Sequence, residues 1–155
     1  MPNRKTQPSK QEFVAAVERS FDYLVRDYGF RREPVPPGER DVWIAYDNDK
    51  SRARVVIEGT DWGLNTRVAI GRSYNQFENF DLSDLIAMRG SGGHDAPDRG
   101  TVKSGSTQLE QVRYYADVLR SIGEDILRGN FDVFPDLAAR VHARQVKFKK
   151  RNTLT

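Results

Sequence analysis

The chain has 155 residues, of which 37% are hydrophobic and 30% charged; that is the size and balance of one soluble globular domain. No apolar run approaches the ~20 residues of a membrane span, and the basic N-terminus is not expected to act as a secretory signal because no apolar stretch follows it. The absence of cysteine excludes disulfides, cysteine-bound zinc, iron–sulfur clusters and thiol catalysis, and fits a cytoplasmic location.

Charge is unevenly spread. The net charge is +3, yet nine of the 25 bases lie in residues 1–10 and after Asp136, leaving 16 to face all 22 acids, so residues 11–136 sum to −6. An acidic body with basic ends is expected.

In chain order, Ser9 and Glu12 have the spacing of a capping box. Phe13, Val17, Phe21, Leu24 and Tyr28 follow at helical spacing, and Gly29 supplies a stop, so residues 10–28 are expected to form one amphipathic helix. The period then changes. Residues 30–35 read as a short edge strand closed by Pro36, Pro37 and Gly38. Residues 41–46, 52–58 and 66–72 alternate, with Val42, Ile44, Tyr46, Ala53, Val55, Ile57, Val68 and Ile70 inward, and short turns join them. That pattern is an antiparallel meander.

A short helix is expected at 83–89, capped by Ser83 or Asp81, then a loop over 90–106. Thr107 and Glu110 form a second capping box, from which a helix runs towards Gly129. A last helix is expected from about Phe134 to Lys150. The fold class is therefore α+β in one domain: an N-terminal helix, an antiparallel sheet of three or four strands, then C-terminal helices packed on one sheet face. Residues 1–8 and 151–155 are expected to fray.

Three stretches compete as functional sites. The first is RGSGGHDAPDRG, residues 89–100. Its glycines follow a helix instead of leading from a strand into one, and the lysine–hydroxyl pair of a nucleotide loop is missing, so it is no phosphate cradle. His94, Asp95 and Asp98 lack a rigid frame for a metal. His94 could meet Ser91 or Ser104, but nothing specifies an orienting carboxylate. We read it as a flexible loop and expect no catalysis, metal or cofactor.

The second is the basic end, with Arg144, Lys147, Lys149, Lys150 and Arg151. These could neutralise phosphates, although Phe148 is the one interleaved aromatic and no stacking platform forms. The third is the outer sheet face. Trp43, Arg54, Val56, Glu58, Arg67 and Ala69 alternate out of the core, and Trp43, Val56 and Ala69 become neighbours if the register pairs them. Asp47, Asp49, Glu58, Asp61 and Trp62 would rim that patch, which suits a protein partner.

YLVRDYGF at residues 23–30 and YADVLRSIGEDILRGNF at residues 115–131 resemble small bacterial proteins akin to the immunity proteins of polymorphic toxin systems. The resemblance implies a non-enzymatic inhibitor that binds a cognate toxin domain, and carries no functional residues across. An acidic body would steer towards a basic partner. The expected contacts are Trp43, Asp47, Asp49, Glu58, Asp61 and Trp62; the alternative is a nucleic-acid-associated protein using the basic last helix.

Overall fold

The computed structural model describes residues 9–34, 42–60, 65–73, 76–95 and 107–153. It is an α+β fold in which a five-stranded antiparallel sheet carries its helices on one face. Among the described residues, no helix is long and apolar enough to cross a membrane.

The first expected helix is two helices. α1 (Lys10–Ser20) opens on Ser9, whose hydroxyl accepts the Glu12 amide. It stops at Phe21, and α2 (Asp22–Arg26) follows at once. The break has a packing result: Phe21, Tyr23 and Leu24 all enter the core, which a straight helix would not allow for neighbours at about 100° per residue. The Tyr23 hydroxyl then donates to the buried Ala116 carbonyl at 2.7 Å. Gly29, at φ 77°, takes the left-handed turn that ends the helix.

The sheet order is β1-β2-β3-β4-β5. β1 (Arg31–Arg32) is shorter than the expected 30–35 strand. β2 (Val42–Asp47), β3 (Ala53–Thr60) and β4 (Asn65–Arg72) form the meander, and β5 (Phe80–Asp81) adds an edge in a stretch that showed no strand pattern. The expected inward residues, Val42, Ile44, Tyr46, Ala53, Val55, Ile57, Val68 and Ile70, are all buried, as are Ala45 and Ala69 on the other face. Each inward residue is offset by two from the next, so one face of the sheet becomes core.

α3 (Leu82–Arg89) is capped by Asp81, whose carboxylate accepts the Ser83 amide at 2.8 Å. α4 (Gln108–Ile122) starts at Thr107 as its capping box requires. It ends at Gly123, where a Cβ would come within 2.7 Å of Leu119, and α5 (Glu124–Leu127) follows. Val112, Tyr115, Ala116 and Leu119 of α4 join Phe13, Val17 and the sheet in one core.

The C-terminal segment is pinned to the β2–β3 turn. Gly129, at φ 95°, lies so close to Ser51 that a Cβ would meet its carbonyl oxygen at 2.8 Å. α6 (Phe134–Thr153) then begins with Phe134 and Leu137 buried. Pro135 sits in its first turn, where an amide would lack a helical acceptor. The helix reaches three residues beyond Lys150.

Candidate functional site

The sheet register organises the outer face into cross-strand rows. In one, Trp43 lies opposite Glu58, and Glu58 opposite Arg67. Arg67 continues to Asp81 at 3.3 Å and to the Asn79 side chain and carbonyl at 3.0 Å each. In the next, Ala45, Val56 and Ala69 are direct partners. Trp43 is thus a diagonal neighbour of Val56, within reach of an aromatic side chain. Trp43 and Val56 remain half-buried, while Ala45 and Ala69 are buried.

The third row runs from Arg31 through Asp47 and Arg54 to Gly71. Arg54 donates to Asp47 at 2.6 Å and to Glu33 at 3.3 Å. Gly71 leaves room for Phe77, whose ring a Cβ would approach to 2.7 Å. The same ring lies 5.6 Å from the Arg54 guanidinium carbon, close enough for a cation–π contact.

This row revises the expected acidic rim. Asp47 does not offer a free carboxylate: its side chain is only 8% exposed, and its Oδ1 is buried with no hydrogen-bond partner among the described residues. Burial, and next the hydrogen bond with Glu33, push its carboxyl up to about 6. The bond to Asp47 is the main cause that holds Glu33 below the ordinary carboxylate range. Two carboxyl groups beside one guanidinium favour sharing a proton over carrying two full charges.

Asp49 is exposed on the turn and bridges to Arg31 at 3.1 Å. Glu58 is half-buried between Trp43 and Arg67. Asp61 and Trp62 lie outside the described residues. The outer face is therefore an apolar strip framed by paired charges, with less free negative charge than the sequence suggests.

No family model, curated relative or solved structure matches the chain. Its surfaces must be weighed on their own chemistry.

The glycine loop is partly anchored on α4. His94 Nε2 lies 3.0 Å from the Ser121 hydroxyl, and the Ser91 hydroxyl donates to the His94 carbonyl. Among the described residues the serine that meets the imidazole is thus Ser121 and not Ser91; Ser104 and Asp98 lie outside the described residues. Ser121 donates its one hydroxyl hydrogen to the Asp117 carbonyl at 3.0 Å. When it does so it accepts from His94, and the direction of that bond follows the tautomer of the imidazole. Among the described residues, no group of three His, Asp or Glu side chains is placed to hold a metal.

The basic end divides in two. Asp84, in the first turn of α3, is buried, and its Oδ1 accepts from Arg140 at 3.3 Å and Arg144 at 2.6 Å. Arg144 is therefore engaged by the body. Beyond it Lys147, Lys149, Lys150 and Arg151 are exposed, as is every residue from His142 through Arg151.

Sequence reasoning missed Asp84, Glu33 and Phe77. For Asp47 and Arg54 a signal existed: they stand equally far from the centre of the β2–β3 turn, so a symmetric hairpin makes them partners. Asp84 had none, because its arginines lie more than fifty positions away.

Proposed function

We propose that the chain is a non-enzymatic binding protein of the immunity type, which occupies a cognate toxin domain through its outer sheet face. The observation that carries this reading is the half-buried pair Trp43 and Val56 at the middle of a rigid sheet, on the face opposite the helices. Aromatic and aliphatic anchors surrounded by satisfied polar groups are what a protein interface uses for affinity. Pre-formed pairs such as Arg67–Asp81 and Arg54–Asp47 cost less to cover than lone charges would, because neither charge is left without its counter-ion. A cysteine-free chain of this kind suits the cytoplasm, where a toxin would be neutralised.

Asp49 and Glu58 remain the accessible acids of this surface among the described residues, so steering of a basic partner falls to them. The test places a photo-crosslinker at Val56 and, as a control, at Arg113 on α4, in the native host cells. One stoichiometric protein captured from Val56 alone, toxic when expressed by itself and neutralised by the wild-type chain but not by Trp43→Ala/Val56→Glu, is the expected result. Capture from both positions alike, or neutralisation that survives both substitutions, removes the outer face from the proposal.

A further inference from the structure

The distal half of α6 has no place in that reading. Its first turns belong to the body, through buried Phe134 and Leu137 and half-buried Val141. The Asp84 clamp on Arg140 and Arg144 sets its direction. After the clamp the helix continues for nine residues to Thr153, roughly 13 Å at 1.5 Å per residue.

Spacing decides what this projection presents. Arg140, Arg144, Lys147 and Arg151 recur at i, i+4, i+7 and i+11, so they form one stripe along the helix. Asp84 takes the first two, and Lys147 and Arg151 extend the stripe into solvent. No acid follows Asp136, so the distal turns are cationic throughout, and Lys149 and Lys150 add to the local field.

We infer that this distal half of α6 is a docking element for the phosphate backbone of duplex nucleic acid, anchored to the body by Asp84. Charge complementarity favours that occupant. A helix of about 10–12 Å outer diameter matches the ~12 Å width of the major groove, and the stripe can reach the phosphates at its edge. A lipid surface fits less well. Val146 is exposed and Phe148 is 65% exposed, but residues two apart point roughly 200° away from each other, so no continuous apolar face exists. A helix-to-helix contact with a second copy of the chain would bring two acid-free cationic segments together. One exposed aromatic supplies no stacking platform for a single strand.

The test measures binding of the full chain to a labelled duplex of about 30 base pairs, to one of its separated strands, and to vesicles rich in anionic lipid. Three or four phosphate contacts predict a log–log salt slope of about −3 to −4 on the duplex. Lys147→Glu/Arg151→Glu should weaken duplex binding at least tenfold. Arg19→Glu/Arg113→Glu, an equal charge change on exposed parts of α1 and α4, should change it less than threefold. Lys147→Gln/Arg151→Gln should give an intermediate loss, and circular dichroism confirms that each variant keeps its helix content. The inference is overturned by absent duplex binding at about 50 mM salt, by equal losses from the two glutamate pairs, or by tighter binding to the single strand or the vesicles. Crosslinking from Val56 reports on the sheet face separately, so either surface can fail alone.

Discussion

The two faces of the sheet are built from the same strands by different physics. On the helix side Ile44, Val55, Ile57 and Ile70 are fully buried, and their contribution comes from removing apolar area from water. On the outer side the rows Arg31–Asp47–Arg54 and Glu58–Arg67 set opposite charges side by side across strands, with Arg54–Asp47 in direct contact and Trp43 and Val56 half-covered among them. The inner face therefore supplies stability that is insensitive to pH and salt. The outer face supplies a pre-organised surface whose energy depends on both.

The comparison can be broken most directly at Ile57. Ile57→Ala should cost about 2–5 kcal/mol, since the site is enclosed and cannot collapse fully, and chemical denaturation should give the same loss at pH 5 and pH 7. A cost that changes with pH would show that the two faces are not separable.

Arg54→Ala should cost about 2–3 kcal/mol at pH 7, because Asp47 is left as a buried carboxylate without its cation. The loss should shrink at pH 5, where Asp47 takes a proton and no longer needs the guanidinium. An equal loss at both values would mean that Asp47 is solvated.

Asp47→Asn sharpens the sign. The folded-state pKa of Asp47 is raised to about 6, above its ordinary value, so its contribution is full below that ordinary value and is lost as pH rises through 6. Relative to the variant, the wild type should gain roughly 2 kcal/mol between pH 7 and pH 4. Asp125, held low by its hydrogen bonds with Arg89, loses stability over the same descent in both proteins and cancels in their difference, whereas Glu33, held low chiefly by Asp47 itself, belongs to the pair that the substitution probes. The smallest effect is expected at Val56: Val56→Thr should move stability by less than about 1 kcal/mol while weakening partner capture.

Much of the fold was legible because it rests on local chemistry. Ser9, Thr107 and Asp81 cap helices as their spacing implies, and every residue of β2 to β4 that alternation places inward is buried. The helix breaks at Phe21 and Gly123 were not legible, since in each the period of apolar residues runs on through the break. β5 escaped notice because two residues cannot display a period. Of the candidate residues, Trp43 and Glu58 keep the outward placement that alternation predicts, Asp47 is buried in an ion pair, and Arg144 is taken by Asp84.

The sequence by itself determined the α+β class, the capped helix starts, the meander and the basic end, because those follow from spacing and propensity within a few residues. Tertiary structure alone decided which charges are spent. Whether a carboxylate is a free surface group depends on what stands within about 4 Å of it. Arg54 reaches Asp47 across a strand pair, and Arg144 reaches Asp84 from 60 positions along the chain. Coulomb energy and desolvation act through distance in space, and a linear pattern carries that distance only where the chain is locally regular.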